Sequence, residues 1–174
     1  MNSYQVERNW YTHYTDISNY AYSPTCFRSG NSDEYQFMIL EDLELTGHFP
    51  KTTINNIEVK SCLKWLANFH AKHLGSSPYH LWPTGTYWHL ETRPDELAFM
   101  SDLTLKAAAP LIDKQLSSAK YQTIVHGDAK LANFLFSKQS VAAVDFQYVG
   151  GGVGIKDIAY FLSSIYNQDQ LFKM

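Results

Sequence analysis

From Ser3 to Tyr14, the positions Tyr4, Glu7, Trp10, Tyr11 and Tyr14 recur three or four apart, which predicts a first helix. Ser18 to Asp33 carries Pro24, Gly30 and several Ser and Asn, so a loop is expected there. The apolar run Tyr35 to Leu40 reads as a buried strand, followed by a turn over Gly47 to Pro50. Asn55 with Glu58 three residues later resembles a capping pair. Behind it Val59, Cys62, Leu63, Leu66, Phe69, His70, His73 and Leu74 form one helical face that Gly75 should end. Ser76 to Arg93 is an aromatic loop. Pro94 then opens a helix with Asp95 and Glu96 in its first turn, and Pro110 should break or kink it, leaving a piece to Ser118. After Tyr121 the pattern shortens. Strands are predicted over 122–125, 134–136 and 141–144, then a flexible junction at Gly150-Gly151-Gly152. Ile155, Ile158, Ala159, Leu162 and Tyr166 mark a final amphipathic helix. The chain is therefore a mixed α and β protein, mostly helical.

The chain's 174 residues suffice for one core or for part of a larger one. At 45% hydrophobic and 18% charged it is too apolar for a disordered chain. Its 15% aromatic content points to an aromatic interior. No apolar run approaches the length of a membrane span, and the N-terminus lacks the apolar core of a signal peptide. A net charge of −3 gives no reason to expect nucleic acid or a membrane surface as partner. Cys26 and Cys62 are far apart and in no ligand spacing, which fits a reducing, cytoplasmic location.

The chemistry concentrates in Ile124-Val125-His126-Gly127-Asp128-Ala129-Lys130-Leu131-Ala132-Asn133, with Val144-Asp145-Phe146-Gln147 after it. A hairpin should join the strands at 134–137 and 141–144. With Lys138-Gln139-Ser140 as its turn, Ser137 faces Val141 and Asn133 faces Asp145 at the open end. Asp128 enters from the loop five residues before Asn133. Two carboxylates and an amide oxygen then converge near Lys130. Hard oxygen donors of this kind suit Mg²⁺, with substrate phosphates completing its coordination. Taken singly, each of these residues is also an ordinary turn or cap residue; the combination carries the signal.

That combination, His-x-Asp-x-Lys-x-x-Asn and then Asp-Phe after an apolar strand, resembles the catalytic and metal segments of the protein-kinase-like fold. Gly127 and Gln147 make it similar to the aminoglycoside phosphotransferase and choline kinase branch, nearest the ecdysteroid-kinase-like small-molecule kinases. Phe37 to Leu43 looks like the last small-lobe strand and hinge, and Leu66 to Ala71 like the first long helix of the large lobe. The resemblance implies a partial α+β kinase-like fold. Residues 1–43 would be a remnant of the N-terminal lobe and 44–174 an incomplete C-terminal catalytic lobe. The implied activity is ATP- and Mg²⁺-dependent phosphotransfer to a hydroxyl of a small molecule. Asp128 would be the catalytic base and Lys130 would steady the transferred phosphoryl group. Asn133 and Asp145 would hold Mg²⁺, and backbone groups of Glu41 and Leu43 would meet the adenine. His126 and Asp157 would brace the loop. Glu7 would be the helix glutamate that pairs with a nucleotide-binding lysine. The family places a glycine-rich loop and that lysine before this helix, and only six residues precede Glu7. The sequence thus reads as the middle of a longer kinase, a fragment or degraded copy, with weak or no activity expected of it alone.

Competing signals are weaker. Gly150 to Gly154 matches neither dinucleotide nor Walker spacing. His70 and His73 have a possible metal spacing, and a packed pair is the plainer reading. Trp82, Tyr87 and Trp88 could cage a cationic amine, though packing under the loop is favoured. Two other functions compete: a non-catalytic remnant that binds nucleotide or a partner without turnover, and a carboxylate-metal hydrolase using Asp128 and Asp145.

Overall fold

The computed structural model describes residues 2–15, 21–32, 35–86 and 89–173. Helix α1 (Ser3–His13) starts at Asn2, whose side chain accepts from the Gln5 amide at 2.8 Å. Strands β1 (Cys26–Asn31) and β2 (Gln36–Leu40) form an antiparallel pair. The expected loop is thus a strand over Cys26–Asn31, while positions 16–20, 33 and 34 lie outside the described residues. Pairing outweighs the weak propensity of β1. Gly30 lies opposite Phe37, whose ring occupies the space a Cβ would take, 2.8 Å away.

Helix α2 (Asn56–Lys72) carries the capping box: Asn55 accepts from the Ile57 and Glu58 amides, and Glu58 accepts from the Asn55 amide at 2.8 Å. It buries Val59, Cys62, Trp65, Leu66 and Phe69. The break in the next helical stretch falls earlier than Pro110. α3 (Pro94–Phe99) stops at Met100, and Asp102 caps α4 (Leu103–Ser117) by accepting from the Leu105 amide at 2.9 Å. Pro110 stays inside α4, which has no buried residue, so water can serve the carbonyl that proline leaves without a donor.

Three short strands make the second sheet: β3 (Phe49–Pro50), β5 (Phe134–Phe136) and β6 (Val141–Ala143), in the order β3-β5-β6. The β5–β6 turn corrects the expected register. Ser137 donates its amide to the Ser140 carbonyl at 2.9 Å, and its hydroxyl accepts from the Gln139 and Ser140 amides. That serine closes a two-residue loop, Lys138-Gln139. Phe134 therefore pairs with Ala143, and the Val144 amide donates to the Asn133 carbonyl at 3.0 Å. Asn133 faces Val144, and Asp145 lies one residue further on.

The triple glycine is no flexible junction. It is strand β7 (Gly150–Gly152), paired antiparallel with β4 (Thr123–Val125). The segment from Trp82 to Gly85 crosses it so closely that a Cβ on Gly150 would sit 2.2 Å from the Trp82 carbonyl oxygen. Helices α5 (Ile155–Ile165) and α6 (Gln168–Leu171) follow, the latter a capped turn beyond the predicted final helix.

The core is aromatic. Trp10 stacks on Phe146 with centroids 4.8 Å apart, Trp65 stacks on Phe69 at 5.0 Å, and Phe134 meets Phe161 edge-on at 5.4 Å. The Trp65 indole also donates to the Tyr22 carbonyl at 2.8 Å, tying α2 to the segment that leads into β1. Among the described residues no helix is long and apolar enough to cross a membrane. Cys26 and Cys62 are free thiols, and burial pushes the Cys62 thiol up to about 12.

Two outcomes follow from this packing. Gly150→Ala should lose about 1–3 kcal/mol through overpacking against Trp82, read as a lower urea midpoint at unchanged slope; an unchanged midpoint contradicts the close approach. Phe99, Leu103, Leu111 and Phe27 are all more than half exposed. The chain alone should therefore self-associate, and a sharp monomer peak in size exclusion with light scattering would contradict this.

Candidate functional site

The site is built on the loop between β4 and β5. The first constraint is Gly127, at φ +84, where a Cβ would lie 2.0 Å from the Tyr148 carbonyl oxygen. Only glycine lets the loop pass this close to the segment after Asp145. The second constraint is Asp157 on α5, 1% exposed. Its Oδ2 accepts from the His126 amide at 2.7 Å, and its Oδ1 accepts from the Gly127 amide at 2.9 Å. Further along, the Leu131 amide donates to the Ser164 hydroxyl at 2.9 Å. Both ends of the loop are thus held from one helix.

His126 is fully buried. Its Nε2 lies 3.0 Å from the Val144 carbonyl oxygen, and its Nδ1 accepts from the Asp128 amide at 3.3 Å. Burial lowers its pKa against the pull of Asp157, Asp128 and Asp145, which keeps the ring neutral and able to donate at one nitrogen and accept at the other. The ring therefore braces the loop against the strand leading to Asp145.

Asp128 is 2% exposed. Its Oδ2 accepts from Lys130 Nζ at 2.7 Å and from Asn133 Nδ2 at 3.0 Å. Asn133 Nδ2 also donates to the Asp128 carbonyl at 2.8 Å. With its amide hydrogens turned to Asp128, the amide oxygen is the atom Asn133 has for a cation. Desolvation lowers the Lys130 pKa, but the hydrogen bond to Asp128 and the charges of Asp128 and Asp145 outweigh it, so the net shift is upward. Asp145 adopts a left-handed φ of 67, rare outside glycine, at a cost of about 1–2 kcal/mol. This breaks the strand alternation that the corrected register would impose on it. Its neighbour Phe146 is wholly buried, which fixes the turn.

Two carboxylate oxygens stand out. Among the described residues, Asp128 Oδ1 and Asp145 Oδ1 are buried and have no hydrogen-bond partner. A buried acceptor left unmatched costs about 1–3 kcal/mol. A divalent cation or a substrate hydroxyl would satisfy them, so the donor set fits Mg²⁺. No group of three His, Cys, Asp or Glu side chains converges as a metal cage among the described residues. Phosphate oxygens would have to complete the coordination.

Glu7 is 9% exposed, and its Oε1 accepts from the Phe146 amide at 3.2 Å. Burial first, then the charge of Asp145, raises its pKa. At the hinge, the Glu41 amide donates to the Thr25 carbonyl at 2.8 Å, and its carboxylate accepts from the Tyr22 hydroxyl and the Thr25 amide. The Tyr22 bond is the main reason the Glu41 pKa is lowered. The Leu43 carbonyl accepts from the Thr46 and His48 amides. Among the described residues this leaves the Glu41 carbonyl and the Leu43 amide without partners, one acceptor and one donor on the same short turn.

His70 and His73 do not share a site. His70 Nε2 lies 2.8 Å from Asp157 Oδ2, while His73 packs against Trp10 and Phe69. The Asp157 contact was invisible in the sequence because the two residues are 87 positions apart. Trp82 donates to the Gln147 carbonyl at 2.8 Å, so it docks onto the segment after Asp145. Tyr87 and Trp88 lie outside the described residues.

Residues 86–174 match the ecdysteroid kinase-like family. Among solved structures, the chain is similar to a thermostable mutant of aminoglycoside phosphotransferase APH(4)-Ia in ternary complex with ADP and hygromycin B, with a TM-score of 0.51 and 14% identity. It is also similar to the apo form of that mutant enzyme, with a TM-score of 0.50 and 16% identity. Each likeness covers 91% of this chain and 60% of the other, so the chain spans less than two thirds of those proteins. No curated protein matches. The fold is thus part of the kinase-like α+β fold of that phosphotransferase, and the chain belongs to the ecdysteroid kinase-like family.

Proposed function

We propose that this chain carries the catalytic segment of a phosphotransferase that moves the ATP γ-phosphate to a hydroxyl of a small molecule. The observation that carries this reading is the pair of buried, unmatched oxygens on Asp128 and Asp145, beside Lys130 and the Asn133 amide. Asp128 Oδ1 would accept the acceptor hydroxyl's proton and aim its oxygen at phosphorus. Asn133 and Asp145 would hold Mg²⁺. When bound, that ion would neutralise the nucleotide's phosphate oxygens. Lys130, held by Asp128 Oδ2, would meet charge on the phosphoryl group in flight. The Glu41 carbonyl and Leu43 amide offer the complementary pair that an adenine edge requires, an acceptor for its amino group and a donor for its ring nitrogen.

The proposed division places residues 1–43 as the end of a small lobe and 44–174 as large-lobe structure. ATP, Mg²⁺ and a small alcohol are the proposed ligands, and the cytoplasm the proposed location. The solved relative's complex holds ADP and hygromycin B, so a hydroxylated small molecule is the acceptor class to screen first.

Isothermal titration should detect ATP binding that requires Mg²⁺. Asp145→Asn should weaken it by about 10-fold or more, since that oxygen is a proposed ligand. Equal binding with and without Mg²⁺ would contradict the metal assignment. In an ATP-consumption screen against hydroxyl compounds, Asp128→Asn should lower turnover by about 10²–10⁴-fold while ATP affinity stays. Turnover that survives Asp128→Asn would contradict the base. Binding without transfer to any hydroxyl would favour the non-catalytic reading.

A further inference from the structure

Asp157 bonds both amides at the head of the loop from α5, and its carboxylate has a third donor. His70 Nε2 meets Asp157 Oδ2 at 2.8 Å, with the histidine side chain 12% exposed. A carboxylate can only accept, so the hydrogen sits on Nε2. The same residue is tied at its backbone: the Thr123 hydroxyl, at the head of β4, donates to the His70 carbonyl at 2.8 Å. Its ring also lies against the start of α5, where a Cβ on Gly154 would be 2.5 Å from His70 Nδ1. His70 therefore touches three things at once: the strand that enters the loop, the helix that holds it, and the acid between them.

We propose that His70 is a positioning residue for the transfer proposed above. It fixes the rotation of the Asp157 carboxylate, and through the His126 and Gly127 amides it sets where Asp128 stands. The inference rests on that functional reading. Without the imidazole, Oδ2 would keep one donor, the His126 amide, and the carboxylate could turn and carry the loop with it. An imidazole that merely filled space would be replaced by leucine at no cost to the loop.

The test compares His70→Leu, which removes the donor, with His70→Gln, whose amide can reach the same oxygen. Amide hydrogen exchange of the whole chain is followed by NMR. His70→Leu should speed exchange at His126 and Gly127 by about 10-fold or more, with the β5–β6 amides within about twofold, and His70→Gln should restore protection. In ATP turnover, His70→Leu should lower kcat by about 10–100-fold with KM for MgATP within about threefold, again recovered by glutamine. Leucine and glutamine variants that behave alike would overturn the proposal. So would a His70→Leu effect spread equally over the β5–β6 amides. If the unaltered chain turns over no ATP, the non-catalytic reading gains, and the exchange data still decide whether His70 holds the loop.

Discussion

The buried carboxylate of Asp157 is the constraint on which the site depends. A carboxyl at 1% exposure is tolerable only if its lone pairs are matched, and here three donors from two parts of the chain, the His70 ring and the adjacent His126 and Gly127 amides, match them. Helix α5 thereby fixes the chain direction at His126 and Gly127, the two residues that lead into Asp128. Everything further along inherits that placement: the Lys130 and Asn133 contacts to Asp128, and the His126 bridge to the Val144 carbonyl.

The second support is apolar. Phe146 is clamped between Trp10, Phe69 and His126, and its amide is bonded to Glu7. Burying that ring fixes the turn at Asp145 and offsets the strain of its left-handed backbone. The aromatic core and the candidate metal residue are therefore one structure, since loosening Trp10 or Phe69 would release the residue next to Asp145. Glu7 adds a tension. Its burial beside Asp145 disfavours the ionised form, a strain that a cation near these two acids would relieve.

Much of this was readable in order along the chain. The Asn55–Glu58 box, the helical face behind it and the dense motif from His126 to Asp145 are local patterns, and local patterns survive folding. Other features depended on partners far away in sequence. The register of the β5–β6 hairpin turned on a Ser137 hydroxyl bonding two amides, which the length of the polar stretch did not disclose. The glycines at 150–152 looked loose because their reason is the Trp82–Gly85 segment lying across them. The β1 strand lacked alternation of its own and exists through β2. His70 looked like half of a histidine pair, and its real partner sits at the start of α5.

The central claim is that Asp128, Asn133 and Asp145 share one metal–nucleotide site. Paramagnetic broadening by Mn²⁺, added at low ratio in the presence of ATP, tests it most directly. The account predicts selective loss of the amide signals around 128, 133 and 145–146, reversed by excess Mg²⁺. Broadening centred elsewhere, or none at these residues while ATP is bound, would contradict it.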